Sequence, residues 1–142
     1  MQAAIDHVVL WVEDPLRAVE FYEQVVGLAG VRIEEFRAGQ APFPSVRVSD
    51  GAILDLMPTA GAPFVAALAG REGSAGHPVN HVCLAMSAAD MAALRGRLEA
   101  AGIGISGEME GSFGARGAAP KAFYFQDLDD NVLEARHYDA GR

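Results

Sequence analysis

The chain has 142 residues, of which 51% are hydrophobic and 21% are charged, and its formal net charge is -8 at pH 7. This length is enough for one ordinary domain core or for two small fused modules. The acidic balance and the lack of a lysine or arginine run argue against a nucleic-acid partner.

The sequence also argues against a membrane protein. No apolar run approaches the roughly 20 residues that span a bilayer, and the N-terminal segment lacks a basic region followed by an apolar one. We therefore expect a cytoplasmic protein. Cys83 is the only cysteine, which excludes an intrachain disulfide and a zinc site built from several cysteines.

The first part of the chain predicts the element order β-α-β-β-β. Ile5 to Val12 alternates in the manner of a strand and places His7 and Trp11 on one face. Asp14-Pro15 predicts a helix start, and Gly27 predicts its end. The apolar residues at helical spacing between them are Leu16, Val19, Tyr22 and Val26. Three short strands are then predicted at Val31 to Arg37, Ser45 to Ser49 and Ala52 to Met57.

The second part of the chain predicts the same order after a linker of Gly, Pro and small residues over 59–79, with a short helix from Pro63 to Ala69. The further predicted elements are a strand at Asn80 to Met86, a helix from Ser87 to Gly102, a weaker strand at Ile105 to Glu110, and a hairpin of Ala122 to Gln126 and Val132 to Tyr138 around the turn Asp127 to Asn131. We interpret the glycine-rich stretch Gly111 to Pro120 as a mobile loop that covers an active site.

Matching positions in the two parts indicate an internal repeat. The first-strand histidines His7 and His81 are 74 positions apart, and the helix-ending glycines Gly27 and Gly102 are 75 apart. Gly51-Ala-Ile-Leu-Asp55 aligns with Asp130-Asn-Val-Leu-Glu134 at an offset of 79. Unrelated halves would rarely place a histidine in both first strands and a carboxylate in both last strands at matching registers.

Each of these polar residues has an ordinary explanation when it is taken alone. A single strand histidine is more often a core or surface residue than a metal ligand. Asp55 could be a solvated residue near a strand end, and Glu134 could pair with Arg136 or Arg47. If the mid-strand carboxylate of Glu134 were buried without a partner, however, it would destabilise the folded protein.

Taken together, two imidazoles and two carboxylates predict a metal site with open positions for water or substrate. The predicted ligands are His7, Asp55, His81 and Glu134. Such nitrogen and oxygen donors suit one divalent cation of the zinc, nickel, manganese or ferrous type.

Four stretches carry a resemblance to a known family: Asp6-His7-Val-Val-Leu-Trp-Val-Glu-Asp14, the helix from Phe21-Tyr22 to Gly27-Leu28, Asn80-His81-Val82, and Tyr124-Phe-Gln-Asp-Leu-Asp-Asp-Asn-Val-Leu-Glu134. Over nearly its whole length the sequence resembles the vicinal oxygen chelate superfamily. This superfamily includes glyoxalase I, fosfomycin-resistance proteins, methylmalonyl-CoA epimerase, extradiol dioxygenases and metal-free bleomycin-binding proteins. The four predicted ligands fall on its metal-ligand positions.

The resemblance implies an α+β fold of two tandem βαβββ modules, 1–58 and 80–142, that curve into a cup around the metal. It implies a small-molecule substrate chelated through adjacent oxygens, and a homodimer. The favoured activity is glyoxalase-like lyase or isomerase chemistry, with Glu134 or Asp55 as general base. The alternatives are a ferrous extradiol dioxygenase using His7, His81 and Glu134, and a metal-free binding protein. Candidates for lining the cup are Trp11, Arg47 and Tyr124.

Two residues depart from the family pattern. Asp130 stands in the hairpin turn where glycine is common, and we expect the turn to form because Asp tolerates a positive φ. Asp55 is one methylene shorter than the Glu or Gln that glyoxalase I usually has there. We therefore expect Asp55 to be a displaceable ligand or a proton carrier.

Overall fold

The computed structural model of the protein describes residues 5, 7–63, 79, 81–114 and 116–138. The chain divides into two compact units, Met1–Asn80 and His81–Arg142. Each unit combines a mixed sheet with helices, which confirms the predicted α+β fold class. Among these residues, no helix is long and apolar enough to cross a membrane.

The described part of the first unit contains four strands and two α-helices. In chain order its elements are β1 (His7–Val12), α1 (Pro15–Phe21), a π-helical turn (Tyr22–Val26), β2 (Ala29–Val31), α2 (Ile33–Arg37), β3 (Ser45–Ser49), β4 (Ala52–Pro58) and a 3-10 turn (Thr59–Gly61). Most of the predicted linker, with the helix predicted from Pro63 to Ala69, lies outside the described residues.

The strands of the first unit form a mixed sheet in the order β1-β4-β3-β2. β1 runs parallel to β4, and β3 is antiparallel to both of its neighbours. Along β1, Leu10 and Val12 are buried whereas His7 and Val9 are exposed, so the predicted alternation of faces is confirmed. The face that carries His7 is thus the less buried one.

Helix α1 begins where the sequence predicts. Oδ1 of Asp14 accepts hydrogen bonds from the backbone N–H groups of Leu16 at 3.0 Å and Arg17 at 3.1 Å, and Pro15 is the first helical residue. Gly27 ends the helical segment with a φ of 91°, in the left-handed region that glycine adopts without steric cost.

The predicted apolar stripe of this helix is wrong at its first position. Leu16 is 36% exposed, whereas Val19, Tyr22 and Val26 are buried. The buried face also includes Ala18 and is centred on the side of the helix that carries Tyr22, and Leu16 lies roughly a third of a turn from that centre.

The strand predicted from Val31 to Arg37 is also wrong. β2 ends at Val31, Arg32 adopts a φ of 60°, and α2 follows directly. Glu34 and Arg37 form an ion pair at a spacing of three residues, which neighbours on a helix can form and neighbours on a strand cannot. Local helix preference therefore wins over the weak alternation of this short stretch.

The described part of the second unit contains five strands and one α-helix. They are β5 (Val82–Met86), α3 (Ala88–Ala100), β6 (Ser112–Gly114), β7 (Gly117–Ala119), β8 (Lys121–Gln126) and β9 (Val132–His137). The main sheet has the order β5-β9-β8, in which β5 and β9 are parallel and β8 and β9 antiparallel. Apolar residues of α3 and of one sheet face form the core, among them Met91, Leu94, Leu98, Phe123 and Leu133.

Two predictions for the segment before β8 are corrected. Ile105 to Glu110 is not a continuous strand, since only Ile105 and Met109 bridge to β8. Gly111 to Pro120 is not a loop throughout, because β6 and β7 pair antiparallel within it.

The turn that joins β8 to β9 is confirmed, and it sets the register of the hairpin. Oδ1 of Asp127 accepts hydrogen bonds from the backbone N–H groups of Asp129 at 2.9 Å and Asn131 at 3.0 Å, and Oδ2 accepts from the Asn131 side-chain amide at 2.9 Å. Asp130 has a φ of 63°, as predicted. This register places Tyr124 opposite Glu134.

Candidate functional site

The sheet of each unit contains a carboxylate, Asp55 or Glu134, and the strands on either side of it are arranged in the same way in both units. In the first unit Asp55 pairs with Val9 of the parallel strand β1, and in the second Glu134 pairs with Cys83 of the parallel strand β5. The predicted ligand histidine stands two residues before the paired residue in each case, at positions 7 and 81. Because residues two apart share a face of a strand, histidine and carboxylate lie on the same side of each sheet.

The antiparallel neighbour repeats as well. Ser45 of β3 lies opposite Asp55, and Tyr124 of β8 lies opposite Glu134. Each carboxylate therefore has a histidine strand on one side and a hydroxyl-bearing residue on the other. This correspondence extends the internal repeat to a pair of residues that sequence matching did not single out.

In the first unit, Asp55 is 6% exposed, and its Oδ1 accepts a 2.5 Å hydrogen bond from the Ser45 hydroxyl. His7 is exposed at the start of β1, and Trp11 is half-buried on the same face. Arg47 is exposed and pairs with Ile53, two residues before Asp55, so it shares this face. The structure thus gathers the first unit's predicted site residues on one side of the sheet.

In the second unit, His81 and Glu134 are in contact. Nε2 of His81 lies 3.4 Å from Oε2 of Glu134, with the histidine side chain 34% exposed and the glutamate side chain 2% exposed. Two donors bound to one metal at about 2.1 Å in tetrahedral geometry lie about 3.4 Å apart. The distance between these two atoms therefore suits a nitrogen and an oxygen that bind the same divalent ion. The histidine is the more solvent-exposed of the two side chains.

The other oxygen of Glu134 is bound by a guanidinium. Oε1 accepts hydrogen bonds from Arg136 at 3.1 Å (Nε) and 2.5 Å (Nη2), and both side chains are almost fully buried. Burial disfavours the charged form of Arg136, but hydrogen bonds to Tyr138 and Glu134 outweigh this and hold its pKa above the ordinary value. The pairing of Glu134 with Arg136 that the sequence left open is thus present, and Oε2 still faces His81.

Two further groups of this face respond to the Glu134 charge. The pKa of Tyr124 is raised by burial and then by the charge and hydrogen bond of Glu134, and the ring of Tyr124 meets His81 edge to face at 5.4 Å. The pKa of the Cys83 thiol is raised by burial and by Glu134. Both groups are therefore held in their neutral forms near pH 7.

Within each unit taken by itself, the described residues form no group of three or more His, Cys, Asp or Glu side chains that could hold a metal ion. His7 and Asp55 share a sheet face in one unit, and His81 and Glu134 are in contact in the other. Each unit thus offers one histidine and one carboxylate.

Sequence reasoning missed the roles of Cys83, Ser112 and Tyr138 near Glu134. A signal was present for Tyr138 and Cys83, because period-2 alternation puts Tyr138 on the face of Glu134 and Cys83 on the face of His81. The partners opposite Arg136 are Ala85 and Ala122, and such small side chains leave room for a guanidinium above the sheet. Ser112 had no such signal, since it lies 24 residues away in the stretch expected to be a loop.

Residues 4–135 match the Glyoxalase/Bleomycin resistance protein/Dioxygenase superfamily, and the chain belongs to this family. Its members bind small molecules, and many of them use a divalent metal ion. No curated protein matches the sequence.

Several solved structures share the fold. An integron cassette protein from the mobile metagenome of V. cholerae is 24% identical, with a TM-score of 0.67 and coverage of 98% of both chains. A lactoylglutathione lyase from Agrobacterium tumefaciens is 19% identical, with a TM-score of 0.68 and coverage of 96% of this chain and 95% of that one. TnmS3, an antibiotic-binding protein from Streptomyces sp. CB03234, is 18% identical, with a TM-score of 0.64 and coverage of 97% and 98%. An enzyme and a binding protein thus share this fold, which by itself does not select a function.

Proposed function

We propose that this protein binds one divalent metal ion through His7, Asp55, His81 and Glu134, and that it catalyses a glyoxalase-like lyase or isomerase reaction on a small molecule with adjacent oxygens. The observation that carries the proposal is the 3.4 Å approach of His81 Nε2 to Oε2 of the buried Glu134. The matching register of His7 and Asp55 in the first unit supports the assignment of the other two ligands.

The donor set suits this chemistry. Two imidazoles and two carboxylates fit zinc, nickel, manganese or ferrous ions, and such an ion, when bound, supplies a Lewis acid that polarises a substrate carbonyl. The protein then has to move a proton at the carbon beside that carbonyl. A carboxylate within hydrogen-bond reach is suited to this task.

Asp55 is our choice for the proton carrier. Its Oδ1 accepts the Ser45 hydrogen bond, which orients the carboxylate while Oδ2 is left for other contacts. Glu134 is less available to a substrate, because Arg136 donates two hydrogen bonds to its Oε1 and His81 faces its Oε2. We propose that Trp11, Arg47 and Tyr124 contact the substrate.

A metal-free binding protein is the second candidate, and one observation favours it. The guanidinium of Arg136 already supplies the positive charge that a buried Glu134 requires, so this carboxylate does not need a metal to be stable. In that case the histidine-bearing faces would bind an aromatic or antibiotic ligand directly.

Metal analysis of protein purified without added metal separates these functions. We expect about one nickel, zinc or manganese ion per chain, with turnover of a hemithioacetal or a related substrate. Iron with catechol cleavage would instead indicate an extradiol dioxygenase. A protein that neither retains nor takes up any of these ions would be the binding protein.

A pair of histidine variants tests the assigned site directly. His81→Ala should lose the bound metal, whereas the matched control His137→Ala should keep it, because His137 lies at the end of β9 on the opposite face from Glu134. Equal metal content in the two variants would overturn the assignment of His81.

A further inference from the structure

Arg136 connects three groups of the second unit through one buried guanidinium. Nε and Nη2 donate to Oε1 of Glu134, Nη1 donates to the Tyr138 hydroxyl at 3.2 Å, and Nη2 donates to the Ser112 hydroxyl at 3.1 Å. Nη1 also lies 3.4 Å from the Ser112 carbonyl oxygen. Ser112 is the first residue of the hairpin formed by β6 and β7, so the guanidinium ties this hairpin to the carboxylate.

Both hydrogen bonds from Arg136 to Glu134 end on the same oxygen. This arrangement leaves Oε2 directed at His81 and fixes the rotation of the carboxylate group. The Arg136 side chain is itself held in place, because it is only 4% exposed and lies on β9, two residues after Glu134.

We propose that Arg136 is the positioning residue of the site: it selects which Glu134 oxygen faces His81 and holds it there for the metal. This inference rests on the proposed metal site. The guanidinium also places a positive charge beside that site, which on its own would weaken the binding of a dication. Positioning and repulsion thus act in opposite directions on metal affinity, and positioning has the larger effect.

Arg136→Lys separates the two effects because it keeps the charge and removes the planar fork. A lysine ammonium can reach Oε1 or the Ser112 and Tyr138 oxygens, but it cannot hold all three groups. The matched control is Arg95→Lys, since Arg95 lies on α3 and pairs with the exposed Glu99 and Glu108.

The first measurement is calorimetric titration of the metal-free wild type and variants with Zn²⁺ and with Ni²⁺. Loss of a group that orients a ligand typically costs about 10- to 100-fold in metal affinity, so Arg136→Lys should raise Kd by that factor while Arg95→Lys stays near the wild type. An unchanged or lower Kd in Arg136→Lys would overturn the inference. Thermal melting of each variant establishes that it is folded.

The second measurement does not require a metal. In a crystal structure of metal-free Arg136→Lys we expect Glu134 to be rotated, with Oε2 displaced from its 3.4 Å position beside His81 Nε2. An unmoved carboxylate would overturn the positioning role. If the wild-type protein binds neither ion, the proposed function fails, and this structural comparison still decides whether Arg136 orients Glu134.

Discussion

The Ser45 hydroxyl donates a 2.5 Å hydrogen bond to Oδ1 of Asp55, at the position where the second unit brings Tyr124 beside Glu134. Ser45 is fully buried, so Ser45→Ala would leave the buried carboxylate without this donor. A buried polar group that loses its hydrogen-bond partner typically lowers the free energy of unfolding by about 1–3 kcal/mol. We expect the free energy of unfolding to fall by this amount in urea titrations. Ser49→Ala, at the exposed end of the same strand, should change it little.

The two carboxylates should respond differently to removal. Asp55→Ala should keep most of the bound metal and lower turnover by about 10²–10⁴, the usual loss when a general acid or base is removed. Glu134→Ala should lose both metal and activity, because it removes a ligand that touches His81. The measurements are metal content and steady-state kinetics on the same preparations.

Either opposite outcome would be informative. Full activity in Asp55→Ala would make Asp55 a bystander and favour a ferrous site of His7, His81 and Glu134. Full metal content in Glu134→Ala would show that Glu134 is not a ligand.

We expect the ion pairs of Glu108 to make a pH-dependent contribution to the stability of the protein. Its Oε1 lies 2.9 Å from Arg95 Nη1 and its Oε2 3.0 Å from Lys121 Nζ, and the hydrogen bond to Lys121 and the charges of both cations lower its pKa below the ordinary 4.5. A carboxyl group with a lowered folded pKa stabilises the protein above its unfolded pKa, and this effect is lost as the pH falls through the folded value.

The test compares thermal unfolding of the wild type and Glu108→Gln. The wild type should melt at a higher temperature at pH 7, and the difference should disappear as the pH falls below about 4.5. The difference should be small and should shrink in salt, since these side chains are partly exposed. Glu110→Gln serves as the control. A difference that persists at low pH would contradict the assignment to charge.

We also propose that the protein is a homodimer. Among the described residues β1 is an edge strand of its sheet, with Val9 37% exposed on the His7 face and Ile5 72% exposed just before the strand. Open strand edges with apolar side chains are usually covered. Sedimentation velocity at micromolar concentration should give about twice the chain mass of 15.0 kDa. A metal-loaded monomer would contradict this proposal.

The predictions from the sequence succeeded where period-2 alternation and a specific turn act together. The Asp127 turn sets the β8–β9 register, and alternation then places Glu134 and Arg136 on one face. The 74- and 79-residue offsets predicted an internal repeat but not its strand pairing; in each unit the structure pairs the first and last strands in parallel, with the histidine two residues before the partner of the carboxylate.

What the sequence could not predict depends on side-chain conformation and on distant partners. Spacing shows that Arg136 could reach Glu134, but the orientation of the guanidinium also depends on Ser112 and Tyr138, whose hydroxyl groups accept hydrogen bonds from Nη2 and Nη1. The short helix α2 was missed for a different reason. A segment of five residues is too short for the periodicities of strand and helix to be distinguished, so the helix preference of its individual residues determines its structure.

The ion pair between Arg136 and Glu134 also bears on whether the protein folds before or after it binds a metal ion. Small domains built around a structural zinc are unfolded until the metal arrives, because their ligands have no other partner. Here the buried carboxylate of Glu134 has its counter-ion, Arg136, two residues along the same strand. For the proposed site, we therefore expect the chain to fold before it binds the metal, so that the metal-free protein is already folded.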